Sequence, residues 1–281
     1  SSAASDVYKR QEYMYKAVIS DLDGTLLSRG HHVTKFTKDV IKEIINKGIN
    51  FYIASGRSYD QIGYITEQLD VKIPIIAANG ARIFDAEGKM IYEKGLSKET
   101  AEAILDLDYE NIAKDSHLNI FSGNDWIITK GTAQKVYDRI SRDVKVVFKE
   151  VPKDELKNLD ILKIFYIGEH EQLIKLEKAI LKVTDAVNVI FVNDYCMEIM
   201  AKGANKGAAA KFLLEKEGIE LKDAVAFGDG ENDFEMLTMV GKGYAMGNSI
   251  DRLRRLLPKD FEFVGMNTED GEAVKLKELF L

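Results

Sequence analysis

Two carboxylates, Asp21 and Asp23, stand either side of one leucine in the run DLDGTLL at 21–27. The β-branched segment KAVIS (16–20) precedes them, so the pair sits where a strand gives way to a glycine-bearing loop. In such a loop the two side chains can converge. One carboxylate can then attack an electrophilic centre while its neighbour donates and accepts a proton, and a Mg²⁺ (magnesium) ion held there would neutralise the charge of both. A second acidic loop, Gly228-Asp229-Gly230-Glu231-Asn232-Asp233, again follows a strand-like run and leads into a helical one. Asp229 and Asp233 are four apart, and a loop-to-helix turn can aim both at one oxygen-ligand site. Four carboxylates gathered at the carboxyl ends of two strands would repel one another, and a hard divalent cation removes the conflict.

Anion-binding groups accompany the acids. Ser55-Gly56-Arg57 closes a strand-like run with a hydroxyl, an approachable backbone N–H and a guanidinium just before a helix start. Lys206 follows Asn205 at the opening of another helix, where the helix N-terminus reinforces its positive charge. Taken singly, each has an ordinary reading, since a serine at a strand end is often a cap and most lysines are solvated. Beside two carboxylate loops they complete what a phosphoryl group calls for, namely metal, hydroxyl, backbone donor and ammonium.

The elements needed to hold these groups are visible as alternating periodicities. After the first strand, Val40, Ile41, Ile44 and Ile45 recur at helical spacing up to Gly48. NFYIAS (50–55) reads as a buried strand, Ser58 with Gln61 as a capping box opening a helix through Leu69, and Pro74 to Phe84 as a third strand. Strand, helix, strand, helix, strand with short connections predicts a parallel α/β sheet whose ligands collect at the carboxyl ends of its strands. Past Phe84 the rhythm changes: a helical stretch from Lys98 to Lys114, a hairpin-like HLNIFSGNDWIIT, and further helix and strand runs up to Asn193 predict an α+β unit with an antiparallel sheet. From Asn205 the parallel pattern returns. The fold class is therefore α/β, a Rossmann-like parallel-sheet core at 14–84 and 195–281 with an α+β cap domain inserted at 85–194. Residues 1–13 lack apolar periodicity and read as a disordered or extraneous tail.

Composition narrows the function classes. The 281 residues amount to about 1.9 domains of roughly 150 residues. No apolar run approaches the roughly 18 residues of a membrane span, and the N-terminus has no secretory design. A single cysteine, Cys196, fits a reducing, cytoplasmic setting. The net charge of −7 argues against a broad nucleic-acid surface, so an anionic substrate must meet locally arranged positive charge. Cys196, in the strand-like YCMEIM, reads as a small core residue. His31 and His32, adjacent in a loop, read as solvated, and Trp126 as packing under a turn rather than stacking on a ligand.

The combination resembles the haloacid dehalogenase-like (HAD) hydrolase superfamily and, within it, the Cof-type phosphatase branch. The matching pieces are DLDGTLL at 21–27, ASGR at 54–57, ANGA at 78–81, NKG at 205–207, GDGENDFEML at 228–237 and AMGN at 245–248. The resemblance implies that Asp21 is a nucleophile forming an aspartyl phosphate. It implies that Asp23 is the general acid/base and lends its carbonyl to Mg²⁺, and that Ser55 and Lys206 hold phosphoryl oxygens. Asp229 would ligate the metal, with Asp233 supporting its shell. Gly56, Arg57, Asn79 and Asn232 become candidate substrate or phosphate contacts. The long interval between Ser55 and Lys206, against the short one between Asp23 and Ser55, places the lid in the type II arrangement, and its α+β pattern resembles the IIB variety. Ser20 departs from the family, standing where an aromatic or large apolar residue is usual, and Ser249 stands where alanine is frequent. The expected activity is a Mg²⁺-dependent phosphatase acting on a small phosphorylated metabolite, such as a sugar phosphate or phosphorylated cofactor. A phosphohexomutase-like transferase and a non-catalytic phospho-acceptor or metal-binding regulator are the alternatives. Neither the individual substrate nor the oligomeric state is written in these motifs.

Overall fold

The computed structural model describes residues 15–138 and 147–281, and the tail expected at 1–13 lies outside them. The core begins with β1 (Ala17–Asp21), α1 (Lys35–Asn46), β2 (Asn50–Ala54), α2 (Tyr59–Leu69), β3 (Ile75–Ala77), β4 (Arg82–Phe84) and β5 (Met90–Glu93). The inserted unit follows as α3 (Lys98–Leu105), α4 (Tyr109–Ile112), β6 (His117–Ser122), β7 (Asp125–Thr129), α5 (Ala133–Tyr137), β8 (Phe148–Val151), β9 (Ile161–Ile167), α6 (His170–Val183), β10 (Val187–Asn193) and β11 (Cys196–Ala201). The core resumes with α7 (Lys206–Lys216), β12 (Ala224–Gly228), α8 (Phe234–Met239), β13 (Lys242–Ala245), α9 (Asp251–Leu256) and α10 (Gly271–Phe280).

Among the described residues the core sheet has the order β13-β12-β1-β2-β3-β4-β5, parallel from β13 to β3 and antiparallel at β4 and β5. β1 is buried at every position because helices cover both faces of the sheet. Its side chains alternate between two cores. Val18 joins Phe51, Ile53, Val225 and Phe227 on the side that also carries core residues of α1, α2 and α10, while Ala17 and Ile19 join Tyr52, Ala54 and Ala226 on the side of α7 and α8. The chain winds outward from β1 in both directions, to β2 and β3 on one side and β12 and β13 on the other. The crevice that this reversal opens lies past the carboxyl ends of β1, β2 and β12, where parallel sheets bind ligands.

The inserted sheet has the order β10-β11-β9-β6-β7-β8 and is antiparallel except for the parallel pair β7 and β8. Ile104 of α3 with Leu173, Leu176 and Ile180 of α6 packs on one face; the other face, with Phe121, Leu162, Phe165 and Met200, meets Ala78 and Ala81 of the core.

Three details differ from the sequence reading. Pro74–Phe84 is not one strand: Ala78, Asn79 and Gly80 all take positive φ (49°, 54° and 91°), and the chain reverses there into the antiparallel β4. The helix expected over 98–114 is interrupted between Leu105 and Tyr109, where Asp106 pairs with Lys157 and Asp108 accepts from the Asn111 side chain. The limits expected for the insertion, 85 and 194, fall instead at hairpin turns. Asp85–Lys89 joins β4 to β5 within the core sheet, and Asn193–Cys196 joins β10 to β11 within the inserted one. A hairpin keeps both its strands in one sheet, so we place the crossings farther on, at Gly95 and at 202–205. Lys94 N–H still bonds Ala81 O of the core (2.8 Å), whereas Leu96 N–H bonds Ile161 O of the insertion (2.9 Å).

Candidate active site

Asp21 is the last residue of β1, and its register partner Ala54 is the last of β2, so Ser55 emerges beside the Asp21 carboxylate's strand end. Asp229 follows β12 directly. Lys206 opens α7, whose start is fixed by the Asn205 side chain accepting from Ala208 N–H at 2.7 Å. These placements bring one ammonium between two acids: Lys206 Nζ lies 2.5 Å from Asp21 Oδ1 and 2.7 Å from Asp233 Oδ1. All three side chains are buried. Burial alone would lower the Lys206 pKa, but the adjacent Asp21 and Asp233 carboxylates reverse this and hold it above its ordinary value. Asp21 is pushed well above the usual carboxylate range, first by burial and then by Asp233, with Lys206 opposing. Burial and Asp233 likewise push Asp229 up to about 7.

Backbone geometry shapes the acidic loops. Gly24 has a φ of +81°, and a Cβ there would stand 2.3 Å from Asp229 Oδ2, so both conformation and space exclude a side chain. Thr25 Oγ1 donates to Asp229 Oδ1 at 3.3 Å, and Asn248 Nδ2 donates to Gly24 O at 2.7 Å, tying the first loop to the AMGN segment. Asp233 Oδ2 accepts from the N–H groups of Asp229 and Gly230, each at 2.9 Å.

A hard cation fits the cluster. Asp21, Asp229 and Asp233 each offer an oxygen, all within 4.8 Å of one another. Burial first, and the crowding of neighbouring acids second, raise Asp21 and Asp229, and Mg²⁺ would relieve that crowding. Asp21 and Asp229 are the better placed ligands, because both oxygens of Asp233 already accept from Lys206 and two backbone amides.

The fourth carboxylate stands apart, contrary to the convergence of four expected from the spacing. Asp23 is held by Arg57 in a forked pair, Nε to Oδ2 at 2.7 Å and Nη2 to Oδ1 at 2.5 Å, with His31 Nδ1 at 3.3 Å from Oδ1. Its side chain retains 42% of its exposure. The turn at Gly24 leaves Asp23 on the open side of the crevice, where a leaving group would depart. His31, read as merely solvated, thus belongs to the rim of the site.

Ser55 Oγ accepts from Arg57 N–H at 3.2 Å. Asn79 and Asn232 bond each other, Asn232 Nδ2 to Asn79 Oδ1 at 2.8 Å. A Cβ on Gly56 would press on the Asn79 amide at 3.1 Å, so these phosphate-side candidates share one wall. That wall includes two residues of the insertion that the motifs did not single out. Glu198 on β11 accepts from Asn79 Nδ2 at 2.5 Å and pairs with Lys163 of β9 at 2.5 Å, while Lys163 Nζ reaches Gly56 O at 3.3 Å. Lys163 is 1% exposed and lies over the Phe121 ring, 4.9 Å from its centroid. A lysine inside ILKIFYI and a glutamate inside CMEIMA were the available signals, since a charge in an otherwise apolar strand requires a partner. Trp126 packs as expected, among Phe121, Phe148 and Phe165, with Nε1 bonded to Asn119 Oδ1 at 2.9 Å. Burial raises the Cys196 thiol to about 12.

The sequence profile of the haloacid dehalogenase-like hydrolases matches residues 18–274. The chain belongs to that family. It is 36% identical over 272 residues to a Buchnera aphidicola (subsp. Baizongia pistaciae) protein, covering 95% of this chain and 99% of that one. It is also 31% identical over 250 residues to an HMP-PP phosphatase of Serratia proteamaculans, covering 88% and 89%. A haloacid dehalogenase-like hydrolase from B. subtilis superposes with a TM-score of 0.81 at 24% identity, over 94% of this chain and 99% of that one. A HAD subclass IIB sugar phosphatase superposes with a TM-score of 0.80 at 23% identity, over 94% and 98%. Family and relatives together make this HAD-like chain a phosphatase. No helix among the described residues is long and apolar enough to cross a membrane.

Proposed function

We propose that this HAD-like chain is a Mg²⁺-dependent cytoplasmic phosphomonoesterase for small phosphorylated metabolites, working through an aspartyl phosphate on Asp21. The observation that carries the reading is the buried Lys206 ammonium bridging Asp21 and Asp233 beside Asp229, at the reversal point of a parallel sheet. Asp21 and Asp229, with the Asp23 carbonyl, would hold Mg²⁺, which would screen the acids and draw charge from a phosphoryl oxygen.

Lys206 takes part of the Asp21 charge while leaving a carboxylate oxygen to attack phosphorus in line. Ser55 Oγ, the Gly56 N–H and Lys206 face the same crevice and are suited to the equatorial oxygens. As the Asp21–phosphorus bond forms and the ester bond breaks, Asp23 gives its proton to the departing oxygen. It then removes a proton from water, whose oxygen attacks the aspartyl phosphate, releasing phosphate and restoring Asp21. Arg57 occupies both oxygens of Asp23, so donation requires that fork to loosen as substrate enters. The inserted unit, lying against Gly56 and Asn79, acts as the lid that excludes water and meets the part of the substrate beyond the phosphate.

Relatives named for HMP-PP and for sugar phosphates support a small phosphorylated metabolite rather than a nucleic acid or a macromolecule. A panel of such phosphates with Mg²⁺, scored for inorganic phosphate, tests the reading. Release from one or more members supports it; phosphorylation of Asp21 without release, or transfer to a second hydroxyl, would replace it with a phospho-acceptor or a mutase.

A further inference from the structure

Ser20, one of the two residues that depart from the family pattern, has a buried partner. Its hydroxyl lies 2.8 Å from Glu272 Oε2, on the first turn of α10, and 2.7 Å from the backbone carbonyl oxygen of Asp21. Glu272 is 2% exposed, forms no salt bridge among the described residues, and its Oε1 has no hydrogen-bond partner among them. A hydroxyl has one proton to give and a carbonyl can only accept. If Ser20 donates to the Asp21 carbonyl, the contact with Glu272 requires a proton on the glutamate. If Ser20 donates instead to an ionised Glu272, two acceptors face each other at 2.7 Å in a buried setting, and a charge is left with no cation beside it.

We propose that Glu272 is kept as a neutral carboxylic acid that donates through the Ser20 hydroxyl to the Asp21 carbonyl, and so acts as a positioning residue for the nucleophile. The charged groups nearby are engaged elsewhere. On the loop and elements packed around α10, Asp270 accepts from Thr34 and Thr37, Lys47 donates to the Phe280 carbonyl, and Lys275 pairs with Glu262 and Glu278. On the strand side Asp21 is bound by Lys206 and Asp23 by Arg57. Burial, countered only by Ser20, pushes Glu272 from 4.5 up to about 8. The base of α10 is closely packed as well: a Cβ on Gly271 would meet Gly265 C at 2.3 Å, next to the point where Glu272 enters the core. Tilting the Asp21 peptide moves the attacking carboxylate, and a short rigid chain of donors behind β1 resists that tilt.

The test combines unfolding and kinetics of the full chain. The folded protein retains a proton on Glu272 that the unfolded chain releases, so its contribution to stability is complete below pH 4.5 and is lost as pH rises towards about 8. Glu272→Gln cannot titrate. The Tm difference, variant minus wild type, should therefore grow as pH rises from about 5 to about 8 and then level. A difference that stays flat across that range overturns the neutral acid. The kinetic arm rests on the phosphatase reading and uses a small aryl phosphate at saturating Mg²⁺. Ser20→Ala and Glu272→Leu should each lower kcat about tenfold with KM little changed, whereas Glu272→Gln, whose amide still donates, should stay within about twofold. Equal kcat for the leucine and glutamine variants overturns the positioning role. Should Glu272→Leu fail to fold, Ser20→Ala and the unfolding arm decide. Absence of turnover in every protein, wild type included, would count against the phosphatase reading and leave the unfolding arm to judge this one.

Discussion

Glu198 of the inserted sheet and Asn79 of the core are joined by a hydrogen bond of 2.5 Å, at the wall of the crevice that holds the candidate phosphate-binding groups. The same carboxylate neutralises Lys163, so the inserted unit meets the core through hydrogen bonds made by the two members of its own buried ion pair, beside the apolar contact. Breaking one partner of such a pair strands a buried charge, whereas replacing both removes the charge altogether. Lys163→Met should thus destabilise the chain by about 3–5 kcal/mol, and Lys163→Met with Glu198→Gln should recover much of that loss. Denaturant unfolding of the two single variants and the double measures the coupling. Strict additivity would show that the pair does not act as a unit.

Replacing the proposed attacking carboxylate with an amide would remove the nucleophile while preserving its size. Asp21→Asn should abolish turnover and keep the fold, checked by phosphate release and by thermal unfolding. Retention of more than about a tenth of wild-type kcat/KM, a loss below about 1.4 kcal/mol, would assign the attack to another group.

Protons and the proposed Mg²⁺ would compete for the same acids. With Asp229 pushed up to about 7, the cluster would hold a proton below that pH, which the cation would have to displace. Apparent Mg²⁺ affinity, measured by calorimetry, should rise as pH increases through about 7 and level above it, and EDTA should stop turnover until Mg²⁺ is returned. In Asp229→Ala the Mg²⁺ requirement should increase sharply; an unchanged titration would put the metal elsewhere.

Asp23 serves two successive steps in the proposed cycle. Changing it to asparagine should slow both formation and breakdown of the phosphoenzyme, by about 10² or more. Rapid-quench measurement separates the steps. Slowing of formation alone would give the water-activating role to a different residue, with His31, 3.3 Å from the Asp23 carboxylate, the next candidate.

The parts of the site that terminate a regular pattern were legible in the sequence. Asp21, Ser55 and Asp229 end apolar strands, and Lys206 begins a helix behind an asparagine cap, so one topology brings them to one crevice. Asp23 was less legible, because the direction it takes depends on the left-handed turn at Gly24. Lys163 and Glu198 announced a need for partners without naming them: the salt bridge crosses neighbouring strands, and the Asn79 bond crosses from one sheet to the other. The limits we place on the insertion differ from the sequence expectation for a related reason. A hairpin turn and a passage between sheets are both short polar interruptions, and only pairing tells them apart.

Gly95 is a single residue between hydrogen bonds that belong to opposite units, and the return passage at 202–205 runs straight into the asparagine that caps α7. The inserted unit is thus attached to the core through Gly95 on one side and, on the other, through the start of α7, which carries Lys206. Gly80, against which a Cβ would come within 2.2 Å of Asn205 O, leaves that second attachment almost no slack. If the inserted unit swings as the proposed lid, that swing would pull on Lys206. Closure would tune the ammonium to its two acids, and opening would detune it, so that readiness for chemistry and exclusion of solvent become one mechanical variable.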